Sequence, residues 1–474
     1  MQRRRQGLCP NSAAPQGARA ALRARRSGGL LRLGLCVLVE LSLLAPVPDS
    51  PTHPPERVAK APFHLMTKPV GSLCNLNCSY CFYLEKAHLY PDTSNFRMRP
   101  EVLETYIREY IAAQPGPTVS FAWQGGEPTL LGVDFFRQAV ALQQRYARGK
   151  TIENAFQTNG VLLDDAWGAF LAENRFLVGV SLDGPRALHD AHRVDRGNAP
   201  TFDRVLAGVA LLKKHAVDFN TLTTVHRANV TQPLEVYRFL REVGSGYLQF
   251  IPIVERAAPE TETRGLWLAE PPDSDGASGL DRQVTPWSVR PAEYGNFLCR
   301  IFDEWVQRDV GRVFVQHFDA ALANWTGNPA GICVFSPTCG RALAVEHNGD
   351  VYSCDHYVYP RYRLGNLLNE SLAGMVESPA QRAFGDAKAA TLPAYCRSCS
   401  VRFACHGECP KHRFITTPDG EPGLNYLCAA YKRFFQHIDS PMRTMAALLA
   451  SNRAPADIMR IPRRDWIRSA LPKT

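Results

Sequence analysis

The sequence predicts an α/β protein: a partial (β/α)6 barrel of parallel strands, followed by a small cysteine-rich domain. Three observations carry that expectation. From about residue 62 to residue 254, strand-like and helix-like stretches alternate six times, which implies parallel strands covered by crossover helices. Six repeats fall short of the eight of a closed barrel. Four polar motifs fall at the C-terminal ends of these strands, where such sheets place their chemistry. Beyond about residue 330 the periodicity fades and eight cysteines take over, the pattern of a domain held by metal more than by an apolar core.

The elements follow in order. Phe63-His64-Leu65-Met66 is the first strand and leads into Cys74-Asn75-Leu76-Asn77-Cys78-Ser79-Tyr80-Cys81. Pro100 to Ala113 reads as a helix, with proline at its start and Val102, Leu103, Tyr106, Ile107 and Tyr110 at helical spacing. Thr118–Trp123, Ile152–Gln157, Phe176–Ser181, Asp218–Val225 and Tyr247–Val254 are the remaining strands. Helices are expected over Val133–Ala147, Asp164–Asn174, Thr201–His215 and Thr231–Val243. The strands run into the cysteine loop, Gln124-Gly125-Gly126-Glu127-Pro128, Gln157-Thr158-Asn159-Gly160 and Ser181-Leu182-Asp183-Gly184-Pro185. Taken singly, Asn-Gly and Asp-Gly-Pro are ordinary turns; their shared location argues for a site.

The expected organisation is an N-terminal extension (1–60), the barrel (61–255), a flexible insertion rich in Pro, Gly, Ser and acidic residues (256–290), a connecting helical segment (291–330), the cysteine domain (331–445) and a basic tail (446–474). The connecting segment contains an amphipathic helix, Pro291–Val310, with Phe297, Ile301, Phe302 and Trp305. The formal net charge of +9 is concentrated at the ends. Residues 1–50 carry +6 and residues 451–474 carry +4, leaving the 400 residues between them at −1. The body therefore has no nucleic-acid footprint, and both ends read as solvated tails. Leu30–Val47 looks like a leader segment, but Arg32 and Glu40 interrupt it, and its clean apolar stretch, Leu33–Val39, is too short to span a bilayer. An over-long start or a disordered extension is expected there, with a cytoplasmic, membrane-free monomer as the mature protein.

Apart from Cys9, Cys36 and Cys299, the fourteen cysteines fall at 74–81 and 333–428. Dense cysteines can mean disulfides, yet a large ordinary core and a C-x3-C-x2-C loop fit metal clusters in a reducing compartment better. Three thiolates on one loop can hold three irons of a [4Fe-4S] cube and leave the fourth open to a small molecule. A closed zinc site needs four ligands, and His88 is poorly spaced to be the fourth. The later eight, Cys333, Cys339, Cys354, Cys396, Cys399, Cys405, Cys409 and Cys428, suffice for two fully ligated four-iron clusters or for zinc ribbons.

The C-x3-C-x2-C loop followed by Phe82-Tyr83 resembles the signature of the radical S-adenosylmethionine (SAM) enzymes. Gly125-Gly126-Glu127-Pro128 is similar to that family's GGEP motif, and the late cysteine spacing to its SPASM subgroup. Together with FQTNG, VSLDGP, LQFIP, NGDVYSCDHY and RLGN, these motifs resemble the anaerobic sulfatase-maturating enzymes over roughly residues 62–445. The resemblance implies a TIM-like radical SAM barrel plus an auxiliary-cluster domain, with three [4Fe-4S] clusters and SAM as cofactors. It implies SAM contacts from Tyr80, Gly126, Ser181, Arg193 and Val254. Arg193 would offer its fork to the SAM carboxylate, although a surface ion pair with Asp195 is the plainer reading of that residue. One auxiliary cluster would take Cys333, Cys339, Cys354 and Cys409, the other Cys396, Cys399, Cys405 and Cys428.

Asp355, next to Cys354, would be the base, although a carboxylate capping a cluster loop is the plainer reading. The implied reaction begins when a 5′-deoxyadenosyl radical takes a Cβ hydrogen from a cysteine or serine in a C/S-x-P/A-x-R segment of a sulfatase. Asp355 removes the thiol or hydroxyl proton, an auxiliary cluster accepts the second electron, and Cα-formylglycine results. The electron donor would be a flavodoxin or ferredoxin. A peptide maturase that installs thioether or carbon–carbon crosslinks shares the same clusters and is the alternative. A non-catalytic iron–sulfur carrier would lack the SAM contacts.

Overall fold

The computed structural model describes residues 58–90, 96–258, 266–272 and 284–472. Residues 1–57 of the expected N-terminal extension, the Leu30–Val47 stretch among them, lie outside them. Six strands form as anticipated: β1 (His64–Lys68), β2 (Thr118–Trp123), β3 (Thr151–Thr158), β4 (Leu177–Ser181), β5 (Phe219–Val225) and β6 (Tyr247–Pro252). Each pairs in parallel with the next. Helices α1 (Pro100–Ala113), α2 (Val133–Tyr146), α3 (Asp165–Glu173), α4 (Arg186–Asp190), α5 (Phe202–Lys214) and α6 (Pro233–Val243) occupy the crossovers. α1 begins on Pro100, whose missing N–H costs nothing in a first turn. It buries Tyr106 and Tyr110 against Phe121 and Trp123 of β2 in edge-to-face contacts.

The sheet continues on both sides of those six strands. Its order is β10-β9-β8-β1-β2-β3-β4-β5-β6-β7, with β7 at Phe314–Val315, β8 at Ala342–Glu346, β9 at Asp350–Tyr352 and β10 at Arg363–Asn366. β8 runs parallel to β1 over its full length, from His64 opposite Ala342 to Lys68 opposite Glu346. The cysteine-rich region is thus joined to the barrel sheet and is not a lobe held by metal alone. β8 carries only five residues, buried on almost every position, so periodicity does not distinguish it. The Asn348-Gly349 turn that links it to β9 is the signal that was available: Gly349 has φ +91° and Asp350 N donates to Asn348 Oδ1 at 3.1 Å.

Helix α7 (Pro291–Arg308) matches the expected amphipathic helix. It packs closely on the last helix, Cys428–Ala450, where a Cβ on Gly295 would stand 3.0 Å from the Ala430 Cα. The stretch expected to be a flexible insertion is tied down in its described parts. Arg256 bridges Val284 and Ala257 bridges Leu268. Glu85 Oε2 accepts from the Trp267 and Leu268 amides at 2.9 and 3.1 Å. The described end of the basic tail is docked as well. Asp439, fully buried, accepts from Trp325 Nε1 (2.7 Å), Ser469 Oγ (2.8 Å) and Ala470 N (2.9 Å). A buried carboxylate needs such donors, and the tail supplies two of them. Among the described residues no helix is long and apolar enough to cross a membrane.

Candidate active site at the strand C-termini

The cysteine loop leaves β1 at Lys68 and is gripped from two sides. On one side Asn77 N donates to Val194 O (2.8 Å), Ser79 N to His192 O (3.3 Å) and Arg196 Nε to Cys74 O (2.7 Å). On the other, Gly126 N donates to Gly71 O (2.8 Å) and Glu127 N to Leu73 O (2.9 Å). A Cβ on Gly126 would lie 1.9 Å from Leu73 O. The close approach that demands glycine here is therefore to the cysteine loop, whereas the sequence suggested approach to a ligand. Glu127 is buried and accepts from Thr129 N, Thr158 Oγ1 and Asn159 N at 2.8–3.0 Å. It fastens the ends of β2 and β3 together. Asn159 then reaches Asn75 Oδ1 (2.8 Å) and Cys74 Sγ (3.8 Å).

Cys74, Cys78 and Cys81 lie within electrostatic reach of one another. Burial pushes their thiols up, Cys78 to about 12. Such thiols are poor free nucleophiles, whereas a bound metal removes their protons outright. Among the described residues no three His, Cys, Asp or Glu converge where a single ion could sit. The ligands of a four-iron cube bind separate irons and need no such convergence. The donor chemistry and arrangement of the three thiols fit an open four-iron cluster.

Of the five expected SAM contacts, Tyr80 lies in this loop, Gly126 follows β2, Ser181 ends β4, Arg193 follows α4 and Val254 follows β6. Ser181 ends β4 and its Oγ accepts from Gln157 Nε2 at 3.1 Å. Val254 is buried just past β6. Arg193 does not pair with Asp195, which instead meets Arg204 at 3.2 Å. Its Nε and Nη2 donate to Asp183 at 2.9 and 3.2 Å, and its guanidinium lies 5.5 Å from the Tyr80 ring centroid. Tyr80 OH donates to the same carboxylate at 2.5 Å.

Asp355 follows Cys354 just beyond β9, and the pairing of β8 with β1 carries it to the end of β1. Its Oδ1 is 2.5 Å from Lys68 Nζ. Lys68 is 1% exposed, donates to Gln124 Oε1 (3.3 Å) and lies over the Tyr83 ring. Burial alone would raise the Asp355 carboxyl, but Lys68 first, with His356 and Lys411, offsets it and leaves the group below the usual carboxylate range. Neighbouring His356 is driven down to about 3, chiefly by burial, and stacks on Phe82. Among the described residues no amide hydrogen bond reaches the Asp355 side chain, whose partner is Lys68.

The eight late cysteines gather into two groups. Cys354 is in electrostatic reach of Cys333 and Cys409, and Cys409 of Cys333 and Cys339. Cys405 is in reach of Cys428 and Cys396, and Cys428 of Cys396 and Cys399. Between Cys405 and Cys409 the residues His406, Gly407 and Glu408 all have positive φ. Arg413, buried, straps this turn by donating to Gly407 O (3.1 Å) and His406 O (3.2 Å). Sequence reasoning missed Lys68, Asp183, Glu408 and Arg413. A lysine directly ahead of the cysteine loop, and an aspartate two residues after Ser181, were the visible hints.

The Radical SAM superfamily profile matches residues 69–240, and that of the iron-sulfur cluster-binding domain SPASM matches residues 333–400. The serine-type anaerobic sulfatase-maturating enzyme of Bacteroides thetaiotaomicron is 47% identical over 84% of this chain and 95% of its own length. The cysteine-type enzyme of Clostridium perfringens is 33% identical over 79% of this chain and 96% of its own. Among solved structures, native anSMEcpe with bound AdoMet and the Cp18Cys peptide superposes with a TM-score of 0.69 at 32% identity, over 82% of this chain and 99% of that one. Streptococcus suis SuiB bound to its precursor peptide SuiA, at 14% identity and a TM-score of 0.51 over 78% of this chain and 77% of that one, shares the fold.

Proposed function

The chain belongs to the anaerobic sulfatase-maturating enzymes of the radical SAM superfamily, and from that premise we propose how its residues convert a serine or cysteine of a sulfatase to Cα-formylglycine. Its cofactors are SAM and [4Fe-4S] clusters. Cys74, Cys78 and Cys81 would hold the open cluster, with Tyr80, Gly126, Ser181, Arg193 and Val254 around the SAM. Cys333, Cys339, Cys354 and Cys409 would hold one auxiliary cluster, and Cys396, Cys399, Cys405 and Cys428 the other. Bound SAM on a reduced cluster supplies a 5′-deoxyadenosyl radical able to take a hydrogen from the substrate Cβ.

The observation that carries the reading is the Lys68–Asp355 pair. Two residues 287 positions apart meet beside the loop expected to generate the radical. Asp355, ionised, takes the hydroxyl or thiol proton as the Cβ–H bond is lost. Lys68, held by Gln124 and Tyr83, keeps that carboxylate charged and aimed. Cys333, Cys339, Cys354 and Cys409, the group that includes the thiol next to Asp355, would hold an iron–sulfur cluster able to take up the second electron. A flavodoxin- or ferredoxin-type donor would supply the first.

The more identical relatives are named serine-type, at 38–47%, and the cysteine-type ones stand at 30–34%. That favours a serine in the C/S-x-P/A-x-R segment. The test is anaerobic incubation with matched serine and cysteine peptides. Loss of two hydrogens from the serine peptide, faster than the corresponding change in the cysteine peptide, is the expected result. A peptide left unmodified while SAM is consumed, or a crosslinked product, would reject the assignment.

A further inference from the structure

Asp183 stands two residues past the end of β4, in contact with Tyr80 of the cysteine loop, and it is 0% exposed. Four donors converge on its carboxylate. Oδ2 receives Tyr80 OH at 2.5 Å and Arg193 Nε at 2.9 Å. Oδ1 receives Arg193 Nη2 at 3.2 Å and the Thr224 amide at 2.9 Å. Its backbone is fixed too: the carbonyl accepts from Asn229 Nδ2 at 3.0 Å, and the amide faces His189 Nδ1 at 3.4 Å. The surrounding histidines do not compete for its charge. Burial drives His189 and His226 down to about 4, so both are neutral near pH 7. Arg193 is the one permanent cation on this carboxylate among the described residues.

The arrangement is a two-point grip. A guanidinium fork matches a carboxylate in plane and direction, which a single contact does not achieve. With its Nε and Nη2 committed to Asp183, and Nη2 also 3.4 Å from Thr224 Oγ1, the Arg193 plane has one orientation. The same carboxylate takes the hydroxyl of Tyr80, which sits between Cys78 and Cys81. One buried group thus references the cysteine loop and the arginine to a common point on β4 and β5.

We propose that Asp183 is a positioning residue for SAM. It fixes the Arg193 fork so that the arginine presents its remaining donors to the SAM carboxylate in register with the open iron. The inference rests on the proposed role of Arg193 as a SAM contact. Asp183 would touch neither the cofactor nor the reacting atoms. In its absence Arg193 would keep its charge and lose its direction, and a contact that depends on planar geometry would weaken although its chemistry is intact.

The test uses the anaerobically reconstituted full chain and reads SAM binding directly. Reduced enzyme is titrated with SAM, and the SAM-induced change in the electron paramagnetic resonance of the cluster is followed. Asp183→Asn keeps the size of the side chain but turns an amide toward the Arg193 donors. It is expected to raise the SAM midpoint about tenfold or more, the scale of one misaligned charge-assisted contact, with wild-type iron content. Arg193→Lys should weaken SAM to a similar degree, and Asp183→Asn combined with Arg193→Lys should be no worse than the weaker single variant, since both act through one contact. A wild-type midpoint in Asp183→Asn with Arg193→Lys impaired overturns the inference alone. A wild-type midpoint in Arg193→Lys overturns the SAM role of Arg193 beneath it. Loss of iron in Asp183→Asn overturns the inference as well, by showing that the aspartate holds the cysteine loop and not the arginine.

Discussion

At the scale of single residues the site turns on one carboxylate. Asp355 pairs with Lys68 and is held below the usual carboxylate range despite burial, which suits the proton-accepting role proposed for it. Replacing it with asparagine keeps the volume and removes the basic oxygen. Formylglycine formation in Asp355→Asn should fall by about 10²-fold or more, the usual contribution of a placed base, while 5′-deoxyadenosine is still released. Chromatography of the nucleoside beside mass spectrometry of the peptide separates the two; equal losses of both would remove Asp355 from the base role. Lys68→Met should produce the same split to a smaller degree, about tenfold in product, because the carboxylate stays but loses its cation. The role proposed for Asp355 was legible in the sequence through the motif around Cys354. That of Lys68 was not, because nothing in Met66-Thr67-Lys68-Pro69 reveals that β8 will lie beside β1.

At the scale of elements, the βα repeats were readable because each carries its own period and its own stops. α1 begins on its proline, β2 was bounded to the residue, and α6 closes on Gly244, which takes the left-handed conformation. What stayed hidden was long-range: the five-residue strand β8 and the docking of the chain end on Asp439. The Gly126 contact belongs to this scale as well, since it joins two loops. Gly126→Ala would drive a Cβ into Leu73 O, 1.9 Å away, and the cysteine loop would have to shift. Its expected signature is loss of about four of about twelve irons per chain, measured by iron analysis, with the auxiliary clusters retained. Asp439 gives a pH-dependent counterpart. Burial would raise its carboxyl, but bonds from Ser469, Trp325 and Arg443 hold it below the usual range. A depressed carboxyl contributes stability that is present above its unfolded value near 4 and is lost as pH falls through its lower folded value. Asp439→Asn should therefore cost about 2 kcal/mol at pH 7, seen as a lower thermal midpoint of the holoenzyme. The gap from wild type should narrow as pH drops below about 4; a gap independent of pH would mean that the carboxylate charge plays no part.

At the scale of the whole molecule, barrel and cysteine domain are woven together and cannot be treated as separable modules. β8 and β9 extend the barrel sheet, and the strand end that carries Cys354 also carries Asp355. The two groups of thiols interleave along the chain, with Cys405 and Cys409 on opposite sides of the turn strapped by Arg413. A cluster at Cys354 would then do two things at once: accept an electron and hold the base in place. A cluster at Cys405 would not touch the base. Removing one ligand from each group tests this division. The wild-type chain should bind about twelve irons after anaerobic reconstitution. Cys354→Ala and Cys405→Ala should each bind about eight. Only Cys354→Ala should also reproduce the Asp355→Asn pattern, in which SAM is cleaved and the peptide is left unmodified. If elemental analysis instead finds about four irons with zinc in place of the rest, the late cysteines are structural, and the second electron must leave by a route that does not pass through them.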